Sequence, residues 1–63
     1  MADQPAQEVF DRFAQQSVDA RTAQAEQLAE ASGLTDDAGY QANVALIVGS
    51  LKRGYAAIRS TLA

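Results

Sequence analysis

A chain of 63 residues makes at most one domain, and it lies near the lower limit for a self-sufficient core. It has no Cys and no His, which excludes disulfides and the usual zinc sites as staples and leaves oligomerisation as the simplest added support. Of its thirty apolar residues fourteen are Ala, and its net charge of −3 divides into −6 over residues 1–37 and +3 over residues 38–63.

A first helix is expected over about residues 4–32. Asp3 suits an N-cap, and Pro5 is tolerated in a first turn because its missing N–H has no partner there. Beyond Pro5 the stretch Ala6–Ala31 has neither Gly nor Pro and is rich in Ala, Gln, Glu and Arg, all good helix formers. Its apolar seam is thin. A heptad reading passes through Phe10, Phe13, Ser17, Ala20, Gln24, Gln27 and Ala31, so the large groups cluster near the N-terminus.

Gly33 fits the left-handed position that ends many helices. A turn over about 33–36 follows, with Thr35 or Asp36 as a cap for the second helix. So short a connection makes the two helices antiparallel. Together they form one all-α domain over residues 1–63, a two-helix antiparallel hairpin that self-associates into a bundle or a helical filament.

The second helix is expected over about 37–62. Val44, Val48, Leu51, Tyr55, Ile58 and Leu62 are spaced 4, 3, 4, 3 and 4, the spacing of a heptad seam, and Ile47 widens the stripe. Tyr40 and Tyr55 stand at its edges, with their hydroxyls expected in water. In a hairpin Phe10 and Phe13 would meet Ile58 and Leu62, and Leu28 and Leu34 would lie near Tyr40 and Val44. Ile47, Val48 and Leu51 would then face a part of helix 1 too thin to cover them, which marks this seam as the surface that packs against another chain. Ala45, Gly49 and Gly54 are small residues one turn from their neighbours, where a further helix can approach closely. The plain alternative is that exposed glycines are simply tolerated there.

Little here points to catalysis. There is one Lys, and no Ser or Thr has an evident base to activate it. Glu26 and Glu30 lie one turn apart and can in principle share a metal ion or a proton, although acids at that spacing are ordinarily a solvated face. No cofactor or metal is expected, and the reading is of a non-enzymatic protein. The longest apolar run, Val44–Val48, is far below the roughly 20 residues that span a bilayer. Lys52, Arg53 and Arg59 suit contacts with acids of a neighbouring copy or the lining of a lumen. Three bases in an acidic chain make a poor patch for nucleic acid or an anionic membrane. With no basic and apolar leader at the N-terminus, a cytoplasmic location is the default expectation.

The second half carries a resemblance. The turn Thr35-Asp36-Asp37-Ala38, then Tyr40-Gln41, the stretch Asn43-Val44-Ala45-Leu46 leading into Ser50-Leu51-Lys52, and the ending Ala57-Ile58-Arg59-Ser60-Thr61-Leu62 resemble the small subunits of type III secretion needles and related secretion pili. The resemblance implies a helix–turn–helix subunit, exported without a cleaved signal, that polymerises with copies of itself through its C-terminal helix. The rival expectation is a small regulatory or adaptor protein, a hairpin dimer forming a four-helix bundle that docks on a larger partner. On the first reading Leu51→Asp abolishes assembly and leaves the chain soluble.

Overall fold

The computed structural model describes residues 6–62. Two helices account for most of them, α1 over Ala6–Ser32 and α2 over Ala38–Arg59. They pack against each other as an antiparallel hairpin, which brings Gln7 to Leu62 and Asp11 to Arg59. The cap expected at Asp3, and Pro5 with it, lie outside the described residues.

α1 ends where its glycine allows. Gly33 has a φ of 71°, the left-handed region that a Cβ disfavours. That reversal aims the Leu34 N–H at the Ala29 carbonyl (2.8 Å) and the Gly33 N–H at the Glu30 carbonyl (3.4 Å). This paired arrangement satisfies carbonyls that the helix end would otherwise leave free. The cap of α2 is Asp37 and not Thr35 or Asp36. Its backbone is extended, and its carboxylate accepts the Tyr40 N–H at 2.8 Å. Thr35 serves differently: its carbonyl accepts Gln41 Nε2 at 2.7 Å, tying the turn to the first coil of α2.

α2 stops at Arg59, three residues short of the expected end. The reason is local. Ser60 Oγ donates to the Ala57 carbonyl and Thr61 Oγ1 to the Ile58 carbonyl, both at 2.7 Å. Two successive hydroxyls thereby engage acceptors that the next helical turn would need. The Thr61 and Leu62 N–H groups turn back to the Ile58 and Arg59 carbonyls, each at 3.0 Å, in a tighter i to i−3 pattern.

The stripe that α2 turns toward α1 is Tyr40, Val44, Val48, Leu51, Tyr55, Arg59 and Leu62. Its spacing of 4, 4, 3, 4, 4 and 3 averages about 3.7 residues per turn, the 11-residue repeat that favours a slight right-handed winding, not the heptad of a left-handed coiled coil. Four members of the heptad reading survive this change, Val44, Val48, Leu51 and Tyr55, and Leu62 rejoins it. Ile58 does not: Arg59 occupies its place, and Ile58 is 51% exposed.

α1 follows the same period through Gln7, Phe10, Ala14, Val18, Thr22, Ala25 and Ala29. Here the heptad reading is corrected more heavily. Phe10 and Ser17 face α2, but Phe13, Ala20, Gln24, Gln27 and Ala31 are exposed. The core they leave is slight: among the described residues only Val18 and Ala29 are buried, and neither completely.

Polar contacts pin the hairpin at several levels. Near the turn, Tyr40 Oη donates to the Ala25 carbonyl at 2.6 Å. Toward the open end, Tyr55 Oη donates to Ser17 Oγ at 2.6 Å, and its ring meets the Phe10 ring edge-on with centroids 5.8 Å apart. Gln7 Nε2 donates to the Leu62 carbonyl at 3.2 Å. Both tyrosine hydroxyls are therefore bonded across the interface and not left to water, because the facing residues of α1 are too small to keep the rings at the rim.

Candidate interaction surface

The apolar seam expected to face a second chain is largely engaged within the hairpin. Val44, Val48, Leu51, Tyr55 and Leu62 are half-buried against α1. Ile47 and Ile58 stand outside that contact, at 59% and 51% exposure. On α1, Phe13 at 66% and Leu28 at 55% are equally open.

These four residues lie on one side of the hairpin. Leu28 and Ile47 line the same shallow groove of about 300 Å³, together with Gln24, Asn43 and Arg21. Phe13 precedes Gln24 by 11 residues, three full turns at the observed period, and so stands on the same stripe of α1. Ile58 follows Ile47 by the same interval on α2. The outcome is an apolar pair at each end of one face: Phe13 with Ile58 toward the open end, and Leu28 with Ile47 toward the turn.

The opposite side is charged. A groove of about 680 Å³ there is lined by Glu26 and Glu30 of α1 and by Gln41, Ala45 and Lys52 of α2. It adjoins a second groove of about 380 Å³ that carries Asp11, Gln15, Lys52 and Arg59. Arg59 Nε donates to Asp11 Oδ1 at 2.7 Å, an ion pair between the helices. This hydrogen bond and the charge beside it hold the guanidinium pKa above its usual value. The pair remains exposed to solvent on both sides, where ion pairs add little to stability.

Of the cations suggested for a lumen or a partner's acids, Arg59 is engaged inside the chain. Arg53 Nη2 donates to Ser50 Oγ at 3.1 Å on its own helix. Lys52 is exposed and lines both grooves of the charged side.

The small residues of α2 do not bring the two helices of the hairpin together. A Cβ built on Gly54 would meet nothing within 4 Å, and one on Gly49 would meet only Arg53 Nη1 of the same helix, at 3.3 Å. Ala45 is exposed, at the edge of the charged groove. Within the hairpin, therefore, these positions are tolerated glycines and an alanine at the rim, not a close-approach motif.

Among the described residues no three acidic groups are placed to hold a metal ion, and no buried side-chain polar atom lacks a hydrogen-bond partner. Among the same residues no helix is long and apolar enough to cross a membrane. What the geometry offers is surface: a charge-poor apolar face and a charged, grooved one, on opposite sides of a thin hairpin. Comparison with models of known protein families, with curated proteins and with solved structures gives no match to this chain.

Proposed function

We propose that this chain is a non-enzymatic structural subunit that works by associating with copies of itself. One observation carries the reading: the hairpin is a single layer. Its Cα envelope measures 51 × 20 × 10 Å, and its radius of gyration is 15.0 Å. A compact domain of 63 residues would have a radius of gyration near 10.6 Å, and a second helical layer would add a further 8–10 Å of thickness. Domains bury their apolar stripes between packed layers. Among the described residues no further layer covers Phe13, Leu28, Ile47 and Ile58, and a copy of the chain can supply one.

A filament of the secretion-needle type is the second form of this reading, motivated by the sequence resemblance of the C-terminal half. A filament needs two different surfaces that join head to tail. Leu46, 65% exposed on the outward side of α2, offers an apolar point away from the four-residue face. An adaptor hairpin dimer that docks on a larger protein would use the same two surfaces, one for the copy and one for the partner.

The test is particle mass in solution across a concentration series, by light scattering after size exclusion, with helicity followed by circular dichroism. A discrete dimer or tetramer supports the closed bundle, and mass that grows with concentration supports the filament. A helical monomer at every concentration would refute self-association in both forms. Leu51→Asp no longer isolates assembly. Leu51 is half-buried against α1, so the variant is expected to lose helicity along with any mass above the monomer.

A further inference from the structure

We infer that a second copy of this chain covers the Phe13–Leu28–Ile47–Ile58 face, related by a two-fold axis across the helices, so that two hairpins form an antiparallel four-helix bundle. This rests on the self-association reading and adds to it a surface and an orientation.

Area points to a copy. The chain exposes 4828 Å². A compact monomer of 6.7 kDa would expose about 3900 Å². The excess of about 900 Å² is close to the roughly 800 Å² that each partner buries in a standard stable interface. Covering one face of the hairpin would thus bring the subunit to the exposure of an ordinary folded protein.

Charge selects the face. Two copies with a net charge of −3 each repel one another overall. The groove beside Leu28 and Ile47 carries one charged residue, Arg21, whereas the grooves of the other side carry Asp11, Glu26, Glu30, Lys52 and Arg59. Copies that meet on the apolar side leave those five groups in water.

Charge also selects the orientation. The turn end of the hairpin holds Glu26, Glu30, Asp36 and Asp37, and Lys52 lines the groove beside the first two. The open half holds Arg12, Arg53 and Arg59 beside Glu8, Asp11 and Asp19, and Lys52 lies between the two ends, lining both charged grooves. A parallel dimer would set four acids against four acids at one end, while an antiparallel dimer sets the acidic turn of each copy against the base-bearing end of the other. The apolar pairs permit it. Phe13 and Leu28 are separated by about 22 Å along α1, and Ile47 and Ile58 by about 16 Å along α2. An axis midway lays Phe13 and Ile58 of one copy over Leu28 and Ile47 of the other.

Two measurements test this together. The mass series is repeated for Leu28→Asp and Ile47→Asp, and for Leu46→Asp on the outward side of α2 as the control. Leu28→Asp and Ile47→Asp are expected to give monomers, and Leu46→Asp is expected to keep the dimer. Separately, a nitroxide label on Asp36→Cys, in the exposed turn of an otherwise unaltered chain, reports the distance between the two turns of a dimer by pulsed electron resonance. The antiparallel bundle predicts a separation approaching the 51 Å length of the hairpin. A short separation would overturn the orientation. If Leu46→Asp dissociates the wild-type assembly and Leu28→Asp does not, the surface assigned here is wrong although self-association stands. A wild-type chain that is monomeric throughout would remove the self-association reading itself.

Discussion

Replacing Gly33 by alanine is expected to weaken the hairpin, and replacing Gly49 by alanine is expected to strengthen it, although each change adds the same methyl group. Gly33 has a φ of 71° and open space around its would-be Cβ, so no clash contributes and the effect is conformational. Holding an L-residue in the left-handed region costs about 1–2 kcal/mol, and the stiffer unfolded chain returns about 0.4–1 kcal/mol. The net loss is about 1 kcal/mol. Gly49 lies inside α2, where glycine is poorer than alanine by about 0.5–1 kcal/mol. The new methyl would meet only the end of the Arg53 side chain, which can swing aside. The two variants should therefore differ by nearly 2 kcal/mol, in opposite directions from the parent. For a domain of this size 1 kcal/mol moves the melting midpoint by about 4–8 °C, so melting followed by circular dichroism at one fixed chain concentration resolves them. Gly33→Asn, which tolerates the left-handed region better, should fall between Gly33→Ala and the parent. A Gly33→Ala variant as stable as the parent would mean that the turn does not close in the way described, and the reasoning from φ would fail.

The remaining expectations concern the polar ties. Asp37→Ala removes the side-chain acceptor of the Tyr40 N–H and should cost about 1 kcal/mol in urea denaturation, while Asp37→Asn should recover most of it. Tyr40→Phe keeps the ring and deletes a hydroxyl bonded across the helices, for an expected loss of about 0.5–1.5 kcal/mol; a variant with no loss would put the hydroxyl in water after all.

How much of this was readable beforehand depends on which residues carry hydropathy. The hairpin, the glycine stop and the antiparallel course follow from local chemistry: helix formers without interruption, then Gly33, then a cluster of capping residues. The packing stripe of α2 is half legible because periods of 3.5 and about 3.7 coincide over three turns, through Val44, Val48, Leu51 and Tyr55. They part on the next turn, where Ile58 attracts the reader and Arg59 faces the partner helix. α1 was harder because its inward stripe is built of Ala14, Thr22, Ala25 and Ala29, which carry almost no hydrophobic signal. The conspicuous Phe13 and Leu28 are both more than half exposed, Leu28 at the edge of a groove shared with α2. An 11-residue reading finds the stripe, as Gln7, Val18 and Ala29 repeat at that interval in α1, and Tyr40 and Leu51 in α2 with Leu62 just beyond its end. The outward apolar face was visible only once the inward one was known. Phe13, Ile47 and Ile58 read from the sequence as parts of the seam, whereas Leu28 does line a groove with Tyr40 and Val44 as its position suggests.

The 11-residue period has a mechanical corollary. In a heptad coiled coil each stripe winds around its partner, so sliding one helix along the other also rotates it. Here the stripes wind less steeply and in the opposite sense, and Ile47 and Ile58 occupy nearly the same angular position three turns apart. A neighbour resting on that face can translate by about 16 Å and find an isoleucine beneath it again, like a rack with widely spaced teeth. Register along the face is then held by the charges at the two ends of the hairpin more than by the shape of the face itself.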